Sequence, residues 1–321
     1  MNKVFIVAEI GNNHEGSFSN AKKLVYAAKK TGVDAVKFQT FKTENYVNEK
    51  EKKRFKRLKK FELTNNEFLK LYKIAKKNKL KFISTPFDIE SANFLGSFVD
   101  IFKISSGDNN FYKLIEVVLS YKKPTIISTG LLNYQEIKNL VKFIKYQKFP
   151  LKKLTLLHCV SAYPVSDLEA NLKSIEFLKK KLPVKIGYSD HTLGTLASVI
   201  ATSYGAEMIE KHFTLDKKFS NFRDHKISAD KKEMNKLVIE VNRTYSMLGK
   251  FNKEITKSEK KNMSSMRRSI YANKDLNKDY HLTKDDLKIV RPFLNTEPKD
   301  LNKILRKKIK GNIYKNQELK V

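Results

Sequence analysis

Apolar residues recur along the chain in short, β-branched-rich runs that break off abruptly into polar or glycine-punctuated sequence. Such an ending is what a buried strand looks like where it leaves a core and becomes a loop. Eight runs have this form: "VFIVAEI", "DAVKFQTF", "KFISTPF", "IFKISSG", "TIISTG", "LTLLHCV", "KIGYSD" and "MIEKHFT". Between them lie stretches with apolar residues at helical spacing, such as "NAKKLVYAAKKTG" and "NEFLKLYKIAKKN". "TNNE" at residues 64–67 and "NYQE" at 133–136 place a capping residue three positions before a Glu, the arrangement that satisfies the free amides of a helix start.

Strand alternating with helix means parallel strands joined by helical crossovers, in an open doubly wound sheet or a closed barrel. Eight units over about 250 residues is the size and count of a (β/α)8 barrel. Polar residues follow nearly every strand, whereas an open sheet concentrates its site at one switch point, so the barrel is the expected fold. The pattern places it at residues 1–249, followed by a charge-rich linker at 250–262 ("KFNKEITKSEKKN"). Residues 263–321 have short segments, turn residues and little helical period, which predicts a small second domain.

Composition narrows the class. A 40% hydrophobic content over 321 residues supports a sizeable core and a globular protein. Cys159 is the only cysteine, which excludes an intrachain disulfide and a cysteine-based zinc site. The opening apolar run is short for a signal peptide and no segment has the roughly 20 apolar residues of a membrane helix, so a cytoplasmic protein is expected. The formal charge of +31 suggests a polyanion partner, but the lysines are scattered over every predicted helix without aromatic interleaving. A solvated Lys-biased surface is the preferred account, with steering of an anionic substrate as its functional counterpart.

In a barrel of this kind the active site is built from the C-terminal strand ends and the loops after them. Period two puts Lys37 and Gln39 on one face of the second strand, and Glu210 and His212 on one face of the eighth. Lys103 stands on the fourth strand as Lys37 does on the second, and alternate strands share an interior layer. A lysine there is costly unless paired, for which Glu9 or Glu210 would serve, or functional. Two of them would suit a small dense anion such as a phosphorylated carboxylic acid, with Ser106 and Ser128 completing the cradle. His191 and His212, from adjacent strands, could hold a divalent ion, or each could be an ordinary hydrogen-bonded histidine. Ser161 and Tyr163 sit at the sixth strand end, and Asp224 and His225 on the loop after the eighth.

Taken together, "AEIGNNHEGS", "DAVKFQTF", "FISTPFD", "KISSGD", "ISTG", "LLHCVSAYP", "GYSDHT" and "EKHFT" resemble the sialic acid synthase family, in order and over the whole barrel. The tail, with "RRSIYANKDL" and "LTKDDLKIVRP", resembles that family's antifreeze-like (SAF) domain. The resemblance implies a transferase that condenses phosphoenolpyruvate with an N-acetylmannosamine-type sugar, giving a nine-carbon acidic sugar and phosphate. It implies that Lys37, Gln39, Lys103, Ser106 and Ser128 bind phosphoenolpyruvate and that His191 and His212 hold a divalent metal, usually manganese, with magnesium or cobalt as substitutes. Glu15, Ser161, Tyr163 and Asp224 would face the sugar, with Glu210 beside the metal and Glu9 a structural partner of an interior lysine. It further implies a domain-swapped homodimer in which Arg291 of "IVRPF" enters the partner's active site.

The sequence departs from the family pattern in three places. Phe293 stands where a glycine usually follows the "RP" proline, Ser161 stands where N-acetylmannosamine-using members often carry Asn, and "NFRDHKIS" lacks a Gly-Pro before Asp224. The alternative acceptor is therefore a 2,4-diacetamido-trideoxy sugar, giving N,N'-diacetyllegionaminate or pseudaminate. From a different class, the charge leaves a basic polyanion-binding protein as a rival, which steeply salt-dependent nucleic-acid binding would reveal.

Overall fold

The structure, a computed structural model, describes residues 3–319. The chain divides into two compact units, one ending at Gly249 and the other beginning at Lys250. In the first, eight parallel strands close into a barrel: β1 (Phe5–Gly11), β2 (Ala35–Thr40), β3 (Lys81–Pro86), β4 (Ile101–Ile104), β5 (Thr125–Ser128), β6 (Leu154–Cys159), β7 (Lys185–Asp190) and β8 (Met208–His212). β8 pairs back onto β1, with Glu9 opposite His212. Helices fill the connections, and Thr64–Glu67 and Asn133–Glu136 form the capping boxes expected from the sequence.

Alternate residues of each strand fall into two separate apolar clusters. Ile6, Ala8, Val36, Phe38, Phe82, Phe102, Leu156 and Ile209 pack outward with helix residues such as Leu24, Phe68, Leu71 and Leu140. Val7, Ala35, Ile83, Ile126, Leu157 and Met208, with Phe5 and Ile101, form a plug inside the barrel. The strand's period of two separates them.

β7 contributes Gly187 at the plug level. A Cβ there would lie 2.6 Å from Leu157 Cδ2 and 2.5 Å from the Met208 carbonyl oxygen. The neighbours' bulk leaves no room for a side chain.

Two residues further along, every strand presents a polar, thiol or ionisable side chain inward: Glu9, Lys37, Thr85, Lys103, Ser128, Cys159, Ser189 and Glu210, all buried. The barrel is thus closed by hydrocarbon below and lined by chemistry above. No helix among the described residues is long and apolar enough to cross a membrane.

The second unit is built on an antiparallel pair, β9 (Ser269–Ala272) and β10 (Leu287–Val290), over a small core of Ile270, Ala272, Leu276, Leu282, Ile304, Ile309 and Leu319. Its boundaries correct the sequence-based division. Residues 257–262 of the stretch expected to be a linker belong to the helix Lys257–Met266, started by a Thr256–Glu259 capping box, and Phe293 exchanges backbone and side-chain hydrogen bonds with Ser264 on that helix. The unit therefore begins before residue 263. None of that helix's residues is buried, so it carries no apolar stripe by which the sequence could announce it.

Gly187→Ala tests the packing of the plug. Forcing a methyl against backbone should destabilise the barrel by about 1–3 kcal/mol. A urea midpoint equal to that of the parent protein would show that the plug has slack at β7.

Candidate active site

The polar layer is organised by a chain of four charges. Lys37 Nζ lies 2.9 Å from Glu9 Oε2 and 3.6 Å from Glu210 Oε2, and Lys103 Nζ lies 3.0 Å from Glu210 Oε1. The two lysines do converge, and both carboxylates foreseen as their partners are engaged. Ser189 Oγ donates to Glu210 Oε1 at 2.9 Å, and Gln39 Nε2 donates to Glu9 Oε1 at 3.4 Å. Burial pushes the Glu210 carboxyl up, but Lys103 and Lys37 outweigh it and bring it down to about 2. Burial dominates at Glu9, whose carboxyl is pushed up to about 7 against the pull of Lys37. Lys103 is lowered by burial, against the pull of Glu210.

Beside Lys103 lies a cradle of unused hydroxyls. The Oγ atoms of Ser106, Ser128 and Ser161 are all buried without a hydrogen-bond partner. Ser106 and Ser161 converge over Gly130, where a Cβ would lie 2.7 and 2.5 Å from their hydroxyl oxygens. Asn109 Nδ2 holds this loop by donating to the carbonyls of Ser128 and Gly130 at 3.2 and 2.9 Å. Buried hydroxyls without partners are costly. Three of them next to an ammonium make a site for an anion with several oxygen acceptors.

Across the barrel mouth the His191 and His212 rings lie 5.5 Å apart, centroid to centroid, with the Tyr163 ring 4.2 and 6.1 Å from them. His191 Nδ1 bonds the Val160 carbonyl at 2.9 Å, while His212 Nδ1 is buried without a partner. Burial keeps both imidazoles neutral: His191 is lowered to about 4 and His212 falls well below the ordinary value. Two neutral imidazoles, one with an orphaned nitrogen, fit a divalent cation. Among the described residues no third histidine, cysteine or carboxylate joins them in a ligand set, which leaves water or substrate to complete the coordination.

The rim is tied together by the loops after β1 and β8. Asn13 Nδ2 donates to the Phe213 carbonyl and to Ser228 Oγ, both at 2.9 Å. Glu15 accepts from Ser220 Oγ and lies 3.4 Å from His225 Nε2. Gly16 has a left-handed φ of +79°, and a Cβ there would meet the Lys60 carbonyl oxygen at 2.1 Å, so only glycine lets the loop pass. Asp224, pushed up by burial, accepts from Arg223 Nε at 3.3 Å, and the Arg223 guanidinium lies 4.7 Å over the Tyr163 ring. Burial also pushes the Tyr163 phenol up, so it stays a hydrogen-bond donor.

The barrel therefore brings together Lys37, Gln39, Lys103, Ser106, Ser128, Ser161, Tyr163, His191, Glu210 and His212, with Glu15 and Asp224 on the rim. Arg291 lies in the second unit, exposed, its Nε donating to the Met266 carbonyl at 2.7 Å. Sequence reasoning missed Thr85, whose Oγ1 is 3.5 Å from Lys37 Nζ, together with Ser189 and Arg223. The period of two pointed to Thr85 and Ser189, as neighbours in the layer of Lys37 and Glu210.

The model of the NeuB family matches residues 24–253. The chain belongs to the NeuB family. It is 37% identical to an N,N'-diacetyllegionaminic acid synthase of Legionella pneumophila, over 96% of this chain and 91% of that protein. It is 40% identical to an uncharacterized protein, MJ1065, of Methanocaldococcus jannaschii, over 96% and 90%. Among solved structures it resembles an N-acetylneuraminic acid (sialic acid) synthetase of Leptospira borgpetersenii in complex with citrate, with a TM-score of 0.77 and 38% identity over 81% of this chain and 90% of that one. This NeuB-family chain is an enzyme, a sugar-acid synthase.

The buried histidines predict a pH dependence. Burial lowers His14, like His191, to about 4 from an ordinary value of 6.5. Below pH 6.5 the unfolded chain binds protons that the folded chain refuses, so stability that is complete above 6.5 is lost as the pH falls toward 4. The loss by pH 5 is about 2 kcal/mol per histidine. Unfolding free energies from urea titrations of the metal-free protein at pH 7 and 5 check this, and His14→Gln should make the drop smaller by about 2 kcal/mol. An undiminished drop in that variant would show that His14 carries no part of it.

Proposed function

We propose that the enzyme condenses phosphoenolpyruvate with an N-acetylated, mannosamine-type amino sugar and water, releasing phosphate and a nine-carbon acidic sugar. The observation that carries this reading is the cradle of three partnerless buried hydroxyls beside the Lys103–Glu210–Lys37 chain. It offers several donors and two ammonium groups in one dry place, which suits a small anion with both a carboxylate and a phosphate. Lys103, Ser106 and Ser128 would hold the phosphate end, with Lys37 and Gln39 on the carboxylate side. Fixed donors in a water-poor site would stabilise the negative charge that develops when water adds at C2 and phosphate leaves.

The acceptor's aldehyde would lie at the mouth, toward Tyr163 and the two histidines. A divalent ion held by His191 and His212, manganese by expectation, would supply Lewis acidity that orients and polarises that aldehyde. Tyr163 would donate a hydrogen bond to the sugar. Glu15 and Asp224 would contact its hydroxyls, and Asp224, raised by burial, is suited to passing a proton.

For the acceptor we favour a 2,4-diacetamido-trideoxy sugar. Support comes from the match to the Legionella legionaminic acid synthase over 96% of this chain and from Ser161, a shorter side chain than the Asn that N-acetylmannosamine-using members often carry. N-acetylmannosamine is the second reading, favoured by the Leptospira sialic acid synthetase. The second unit would be the antifreeze-like domain, whose Arg291 completes a partner's site in a homodimer.

Phosphate release from phosphoenolpyruvate, measured with manganese and each sugar or none, tests the reaction. Release that depends on one sugar identifies the acceptor, and no release with either refutes the reading. His212→Ala should lose at least about a hundredfold in metal-dependent turnover, in line with the loss of a charge-stabilising group, and unchanged turnover would remove the metal assignment. Arg291→Ala and His212→Ala, each inactive alone, should recover activity when mixed and re-equilibrated as mixed dimers. No recovery would exclude a role for Arg291 across the dimer.

A further inference from the structure

Behind His191 and His212, on the outer face of the barrel, lies a second buried ion pair that the condensation does not use. Asp190 and Lys211 are register partners on β7 and β8, and their side chains are 0% and 1% exposed. Lys211 Nζ lies 3.1 Å from Asp190 Oδ2 and donates to the Thr192 carbonyl at 2.5 Å. Asp190 Oδ1 accepts from the Thr192 amide and hydroxyl, both at 2.8 Å. Asp190 Oδ2 also accepts from Ser198 Oγ, on the helix Leu196–Ser203, at 2.7 Å.

These bonds have a directed geometry. A carboxylate accepting from the amide two residues on closes an Asx turn, with His191 at its centre. Lys211 holds both ends of that turn, the carboxylate that opens it and the carbonyl of Thr192. Lys211 also immediately precedes His212. One ammonium thus ties down the two backbone segments that carry the imidazoles.

Stability alone does not call for charges here. Burying two ions costs several kcal/mol each, and well-packed apolar pairs often do as well or better. What an apolar pair cannot do is bond the amide and carbonyl of the turn.

We propose that Asp190 and Lys211 are positioning residues that set the spacing and mutual angle of the His191 and His212 rings, 5.5 Å and 52°, and thereby the affinity of this site for a divalent cation. The inference rests on the reading of those histidines as the metal-binding pair. Partners behind metal-ligating histidines typically change metal affinity by 10- to 100-fold.

The experiment uses full-length protein and the metal alone. Manganese binding, followed by the electron paramagnetic resonance signal of the free ion, is compared between the parent protein and Asp190→Asn/Lys211→Met. The dissociation constant should rise about 10- to 100-fold, and the visible absorption of bound cobalt should change shape. Leu157→Ala, a cavity in the plug away from the histidines, controls for lost stability and should keep the parent's constant. Ser198→Ala keeps both charges and removes one bond to the carboxylate; it should weaken manganese several-fold and serves where the double variant does not fold. A folded double variant, or Ser198→Ala, with the parent's constant and cobalt spectrum would overturn the proposal. His212→Ala binding manganese as tightly as the parent would instead refute the metal-binding reading itself, and the proposal with it.

Discussion

The barrel depends on one constraint: four charges have to be housed inside a closed sheet. Each of them alone would cost several kcal/mol to remove from water. The cost is met by alternation. Glu9, Lys37, Glu210 and Lys103 follow one another as acid, base, acid, base, so each ion except the terminal ones has an opposite charge on two sides. Below them the plug is sealed so tightly that β7 gives up its side chain at Gly187. The four ions are buried above that plug, and the local dielectric that makes them expensive also makes them strong toward a ligand.

That arrangement explains why the pKa shifts around the chain run in opposite directions. Glu210 sits between two ammonium groups and stays ionised, whereas Glu9 has one and rises toward neutrality. The interior is neutral by formal count, so the chain's +31 charge is carried elsewhere, largely on the lysines of the helices. The charge brings anions near, and the site selects among them.

Much of this is legible in the sequence, because period two in a strand and strand–helix alternation are local signals. Lys37 with Gln39 and Glu210 with His212 could be placed on single faces from spacing alone. Lys103 could be joined to them once a closed barrel was assumed. Thr85, Ser189 and Cys159 were harder, since a hydroxyl or thiol in a strand has no chemical signature until barrel closure puts it level with two lysines. Arg223 was hidden for another reason: its role lies in stacking on Tyr163, a residue of a different strand end. The first six residues of the helix Lys257–Met266 fall in the stretch expected to be a linker, although "TKSE" carries the same capping signal as "TNNE". Its high charge and the lack of any buried face leave that capping signal without an apolar stripe to support it.

Two ion systems so close in the fold differ in how fully they are satisfied, and the difference shows where the work is done. Around Asp190 and Lys211 both carboxylate oxygens and the ammonium have short partners, so nothing can enter without breaking a bond. Inside the barrel Glu210 Oε2 has only the 3.6 Å approach of Lys37, Lys103 touches one carboxylate, and three serine hydroxyls have no partner. An unsatisfied buried group is a standing cost that folding alone would not retain. A ligand that supplies the missing acceptors recovers it, and an anion with many oxygens recovers most. The outer pair can hold geometry because it is complete, and the inner chain can bind because it is not.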